Sequence, residues 1–226
     1  EGDKIAVCIS GGKDSMLLAK CMQLLKRSWK TNFDLEFLVM DPGYNPENRR
    51  KIENNSEILE IPIHIFETDI FDVANSQEHS PCYLCARMRR GHLYAEAKRR
   101  GCNKIALGHN YNDVVETFVM NLLFEGRIGC FQPVTNLDRT GIVQIRPMLY
   151  IHEKTVDNFA KRMNLPVIEN RCPVDKETKR EEVKQLVYDL SQTYPNLKER
   201  IFGAMQRFPL PEWEPKGRYK RPKEQE

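Results

Sequence analysis

The sequence predicts an α/β fold: a parallel five-stranded sheet with helices on both faces, followed by a helical C-terminal extension. Three observations carry that expectation. Short apolar runs of strand length recur along residues 4–145, separated by longer stretches with apolar residues at helical spacing. The runs are nearly continuous in apolar residues rather than alternating, as strands covered on both faces are. After Pro147 only helical patterns remain.

The first strand is 4–9, ended by Ser10-Gly11-Gly12, and a helix over 14–27 follows with Met16, Leu17, Leu18, Cys21, Leu24 and Leu25 on an apolar face. Strand 35–40 is stopped by Asp41-Pro42-Gly43; 47–59 reads as a helix and 61–66 as the third strand. Helix 82–100 closes on Gly101, a residue suited to a left-handed C-terminal cap. Strand 104–107 stops at Gly108, helix 110–124 is apolar through Val114, Val115, Phe118, Val119, Leu122 and Leu123, and 142–145 is the fifth strand. Helices 152–163, 178–191 and 195–208 complete the pattern, the last with Pro195 at its first position. Residues 209–226 place four prolines among Lys, Arg and Glu, too polar to bury a core, and read as a tail. The expected organisation is a domain over 1–150, a helical extension over 151–208 and the tail 209–226.

A chain of 226 residues can bury roughly 70% of its unfolded surface and needs no disulfide to close its core. No apolar run approaches the ~18 residues of a membrane span, so a spanning helix is excluded. With 35 Lys+Arg against 32 Asp+Glu the net charge is only +3, which by itself demands neither a nucleic-acid nor a membrane partner. Seven cysteines, an odd number, in a chain rich in Lys and Glu are unlike a small secreted disulfide scaffold; a cytoplasmic, reducing environment is expected.

Three motifs carry chemistry. Ser10-Gly11-Gly12-Lys13-Asp14-Ser15 joins the first strand to the first helix: glycines let the backbone approach an anion, free N–H groups at the helix start point at it, and Lys13 adds positive charge. It is a phosphate site but not a Walker A loop, since Val7 stands where that pattern needs Gly and Asp14 where it needs Ser or Thr. Second, Ser80 and Pro81 open a helix in which Cys82 and Cys85 lie three apart on one face, with the helix N-terminus, Arg87 and Arg89 favouring thiolate. Two thiolates need a partner, and Cys172, in the polar run Asn170-Arg171-Cys172-Pro173, is the best candidate. Cys8, Cys21 and Cys102 fall on apolar positions and read as core, whereas Cys130 is a loop thiol that either carries sulfur or does nothing. Three ligands without a fourth suit a cluster with one open iron position better than a closed zinc site, zinc being the alternative. Third, Gly108-His109-Asn110-Tyr111-Asn112-Asp113 ends the fourth strand at the same sheet edge as the first loop. Asp113 there either holds Mg²⁺ or caps the helix, and His109 is a catalytic group or a hydrogen-bond partner. Arg87, Arg89, Arg90, Lys98, Arg99 and Arg100 either contact a phosphate backbone or form a solvated helix face.

The 10–15 run after a first strand resembles the PP-loop of ATP pyrophosphatases, a HUP-type, Rossmann-like fold whose members bind ATP, adenylate a substrate oxygen and release pyrophosphate. The three motifs in this order, with Ile145-Arg146-Pro147-Met148-Leu149-Tyr150, Glu153 and Tyr194-Pro195, resemble the tRNA 2-thiocytidine biosynthesis family over residues 4 to about 208. Where that family usually has a second Cys-x-x-Cys this chain has only Cys172, and family members tend to have a longer N-terminal segment, a piece that could contact tRNA. The resemblance implies ATP held by Ser10, Gly11, Gly12, Lys13, Asp14, Ser15, Met40 and Gly108, catalysis by Asp113, Arg89 and Lys13, and a [4Fe-4S] cluster on Cys82, Cys85 and Cys172. It implies thiolation of a tRNA base, with sulfur supplied by a cysteine desulfurase or free sulfide, and admits a homodimer. Two other readings stay open: a PP-loop ligase that uses ammonia, and a metal-stapled nucleic-acid-binding module without catalysis.

Overall fold

A computed structural model of the chain describes residues 1–43, 45–70, 73, 81–166 and 179–207, the side chains of 81–83 excepted. In chain order the elements are β1 (Lys4–Ile9), α1 (Lys13–Ser28), β2 (Asp34–Asp41), α2 (Pro46–Ile58), β3 (Ile63–Glu67), α3 (Pro81–Arg99), β4 (Lys104–Ala106), α4 (Tyr111–Glu125), β5 (Val134–Leu137), β6 (Ile142–Ile145), α5 (Glu153–Arg162), α6 (Lys179–Thr193) and α7 (Leu197–Gln206). The expected tail over 209–226 and the run carrying Cys172 lie outside the described residues.

The strands form one sheet in the order β3-β2-β1-β4-β6-β5. Five of them run parallel as expected; the sixth, β5, pairs antiparallel with β6 from Val134 opposite Ile145 to Leu137 opposite Ile142. The expectation of five strands is corrected on this point. β5 reads Val-Thr-Asn-Leu at the sheet edge with alternate residues exposed, so it lacks the apolar run that marks the buried strands. The last helix starts at Leu197, not Pro195: Asn196 precedes it with φ 60°, a left-handed turn that the prolyl residue before it does not reveal.

Because successive side chains of a strand point to opposite faces, β1 feeds two cores. Ile5, Val7 and Ile9 join Met16, Leu18, Phe37, Val39 and Ile52 on one side. Ala6 and Cys8 join Leu38, Ala97, Cys102, Ile105 and Ile142 on the other. α1 buries Ser15, Leu18, Ala19 and Met22, the i, i+3, i+4, i+7 stripe, with Met16 and Leu17 of its first turns beside it. Cys21 lies beside that stripe and is exposed, so the expectation of a core role fails for it, while Cys8 and Cys102 are buried as expected. Burial pushes the Cys8 thiol up to about 12 and raises that of Cys102.

The chain divides into two compact units, Glu1–Tyr111 with Gln132–Arg171, and Asn112–Phe131 with Cys172–Glu226. Within the first, the five parallel strands run toward one edge of the sheet and the helices between them return, which orders the helix ends. An ion network fixes the sense of α3: Arg100, just past its end, bonds Glu96 at 2.7 Å and Glu36 at 3.1 Å, Lys4 Nζ donates to the Arg100 carbonyl at 2.8 Å, and Lys4 pairs with Glu36 at 2.9 Å. Lys4 and Glu36 stand at the strand starts, so the C-terminus of α3 lies at the N-terminal edge of the sheet. Nineteen residues of helix span about 28 Å, which carries the other end of α3, with Cys82 and Cys85, to the C-terminal edge.

Candidate active site

The C-terminal edge of the sheet collects the first motif and its neighbours. After Ile9 the chain turns through Gly11, at φ 87°, a conformation open to glycine at little cost. Gly12 is the N-cap of α1 and offers no side chain to the orphan N–H groups of the first turn. Those donors, with the positive end of the helix, are left to an incoming anion. Ser15 staples the loop from inside: its hydroxyl donates to the Gly12 carbonyl at 2.8 Å and accepts from the Ser10 N–H at 3.1 Å.

A second loop is pressed against the first. A Cβ at Gly108 would stand 3.1 Å from the Ser15 nitrogen and 3.2 Å from the Asp14 carbonyl carbon and oxygen, so the two backbones meet at a distance that a larger residue would force apart by a few tenths of an ångström. Asn110, buried, donates from Nδ2 to Asp14 Oδ1 at 2.7 Å, and the Tyr111 N–H bonds the Ile151 carbonyl at 2.9 Å. The first and third motifs, adjacent only in expectation, are thus in contact. Met40 lies buried at the end of β2 beside Phe66, on the same edge. Asp41, next to it, accepts from the Gly43 N–H at 3.0 Å and faces Arg49 at 3.6 Å.

Lys13 is the first residue of α1, and its ammonium is ringed by carboxylates: Glu153 at 3.2 Å, Asp157 at 3.3 Å and Asp14 at 3.5 Å. Burial pulls its pKa down, but the charges of Asp14 and Glu153 and the bonds to Glu153 and Asp157 outweigh that and raise it. Glu153 is part of the sequence run read above; Asp157 carried no signal, and only its place one turn further along α5 makes it the natural companion of Glu153.

In α3, Cys85 and Arg89 are half-buried and one turn apart, and Arg87 and Arg90 are exposed. Cys82 is the second residue of that helix; its side chain and all of Cys172 lie outside the described residues. Arg99 and Arg100 depart from the nucleic-acid expectation: they bond Glu96 at 2.6 and 2.7 Å, at the far end of the helix from the motif loops. In the second unit, Asp113 sits in the first turn of α4 and accepts from Arg180 Nη2 at 2.6 Å, while Cys130 is half-buried with its sulfur 3.5 Å from the Val114 carbonyl oxygen.

Comparison with known proteins gives four findings. The profile of the PP-loop domain family matches residues 1–190. The chain is similar to the tRNA-cytidine(32) 2-sulfurtransferase of Pelobacter propionicus, with 34% identity over 91% of this chain and 78% of the relative. It is similar to that of Saccharophagus degradans, with 36% identity over 92% and 68%. Among solved structures it shares its fold with a U34-tRNA thiolase from Methanococcus maripaludis solved with its [4Fe-4S] cluster, at TM-score 0.73 and 24% identity over 91% of this chain and 71% of that one.

Proposed function

The chain belongs to the PP-loop family and, within it, to the tRNA-cytidine(32) 2-sulfurtransferases, and on that premise we propose that it is an ATP-dependent enzyme that replaces the C2 oxygen of a tRNA cytidine by sulfur. The observation that carries the reading is one sheet edge bearing both an uncapped, glycine-lined helix start and the Cys82–Cys85 turn of α3. Glycines 11 and 12 leave the loop backbone without side chains toward the anion, and Gly108 lets the second loop press against the first turn of α1.

In this reading the amides of Gly11 and Gly12 and the ammonium of Lys13 hold the ATP phosphates as charge moves onto the leaving pyrophosphate. The cytidine C2 oxygen attacks the α-phosphorus, pyrophosphate departs, and a sulfur nucleophile then displaces AMP from the adenylated base. Asp113, in the first turn of α4, is assigned to Mg²⁺. Arg89, one turn from Cys85, is assigned to the reacting groups. Cys82, Cys85 and Cys172 are assigned to a [4Fe-4S] cluster, whose open iron position would supply sulfur to the reaction. Cys82 and Cys85 fit such a group by residue type and spacing: two cysteines three apart in the first turns of α3. The base must be unpaired to be reached, as in a tRNA loop, and a desulfurase or free sulfide is the expected sulfur source.

Nucleoside mass spectrometry of tRNA from cells with and without this protein tests the reading: loss of 2-thiocytidine is expected, and its persistence overturns it. Iron and sulfide analysis of anaerobically purified protein tests the cluster, which stoichiometric zinc without iron would exclude. Asp113→Ala is expected to abolish thiolation and leave the iron content unchanged; full activity refutes its role.

A further inference from the structure

We propose that Glu153 and Asp157 are positioning residues that hold Lys13 against α5, so that ATP must draw the lysine away from them in order to bind. The inference rests on the ATP reading above and adds to it a specificity device on α5. Lys13 opens α1, where the positive end of the helix disfavours a cation. It is held there by carboxylates, at 3.2 Å from Glu153 and 3.3 Å from Asp157. Those two residues are one turn apart and project from one face of α5. The helix is itself anchored: Val156 is fully buried, and Phe159 and Met163 pack on the core that contains Met16 and Leu17. The counter-charges therefore come from a fixed element and not from a mobile loop.

The charge balance makes this more than a structural ion pair. One ammonium faces the carboxylates of Asp14, Glu153 and Asp157, so this group is net negative where a polyphosphate must arrive. Phosphate oxygens and the α5 carboxylates compete for the same donor. A cavity of about 290 Å³, lined by Gly11, Gly12, Lys13, Asp14 and Asn55 among others, gives the Lys13 side chain room to turn without repacking the core. A single phosphate, with few contacts, gains little by opening the pair; a triphosphate with its divalent cation gains more. The pair thus sets a threshold that favours ATP over small anions.

The test is a double-mutant cycle read by calorimetry with MgATP and, separately, inorganic phosphate, on the wild-type chain, E153Q/D157N, K13M and the triple variant. With Lys13 present, neutralising both carboxylates is expected to tighten MgATP binding about fivefold to tenfold, the sum of two partly exposed pairs. In the K13M background the same change is expected to shift affinity less than about twofold, because there is no donor left to release. Inorganic phosphate is expected to bind E153Q/D157N measurably and the wild type weakly. An equal gain in both backgrounds would mean a general charge effect and overturn the proposal, as would no gain, or weaker binding, with Lys13 present. Glu153→Gln and Asp157→Asn taken singly, each expected to give part of the gain, keep the test decisive should the double variant fail to fold. Wild-type protein that binds no MgATP would overturn the ATP reading itself, and this one with it; binding without the Lys13-dependent gain overturns this one alone.

Discussion

Gly108→Ala separates the close approach of two loops from any special backbone angle. Gly108 is not among the residues with positive φ, so alanine meets no conformational penalty there. What it meets is backbone: Ser15 N at 3.1 Å and the Asp14 carbonyl group at 3.2 Å, at the first turn of α1. These backbone atoms belong to a helix start stapled by the Ser15 hydroxyl, and the side chain of Asp14 is itself held by Asn110, so the turn gives way only against those bonds. Forcing a methyl group into such a contact typically costs about 1–3 kcal/mol. For a chain of this size that corresponds to a fall in Tm of roughly 2–10 °C. The displaced atoms carry the amides that face the anion, so MgATP affinity should drop by about tenfold or more at the same time. Thermal unfolding and calorimetric titration read the two effects on one preparation. A variant with wild-type Tm and wild-type affinity would refute the argument, because it would mean that the two loops are not in contact.

Gly12→Ala is the counterpart: its Cβ would lie 3.6 Å from Ser10 Oγ, an ordinary contact, so Tm should stay within about 1–2 °C of wild type while MgATP binding weakens, the methyl group standing where phosphate approaches. Acid stability should depend on Glu96, whose carboxyl is held at about 2, mainly by its bond to Arg99 with Arg100 assisting, against an ordinary 4.5. The unfolded chain takes up that proton first as pH falls, so the stabilisation is complete above about 4.5 and lost between there and 2. Glu96→Gln should flatten this limb in urea unfolding at pH 7, 4 and 3, and an unchanged pH profile would exclude the network as its source. Maleimide at pH 7.5 should label Cys21 in the folded protein and leave Cys8 and Cys102 unlabelled until denaturant is added, as peptide mass mapping can show.

What the sequence made legible follows from where its information is local. The 10–15 and 108–113 loops each carry glycine at the end of an apolar run, so the sequence assigns both to one edge of a parallel sheet. β5 was not legible because an exposed edge strand of four residues, half of them polar, has no periodicity to detect. Cys21 was misjudged because apolar residues cover more of α1 than the single stripe it buries; Leu24 and Leu25 are exposed for the same reason. The basic residues Arg99 and Arg100 could be read from composition as phosphate contacts, and only the spatial neighbours Glu96 and Glu36 reassign them. The same limit governs the site: Lys13 lies 140 residues from Glu153, so its partners are a property of how β6 delivers α5 to the edge where α1 begins. That delivery changes the meaning of the loop. With its lysine held by α5, the loop meets an anion first through uncapped amides and a helix dipole, which point in fixed directions and reward a ligand long enough to satisfy several at once. The ammonium, held in reserve on α5, adds its charge only to a ligand that has already engaged the loop.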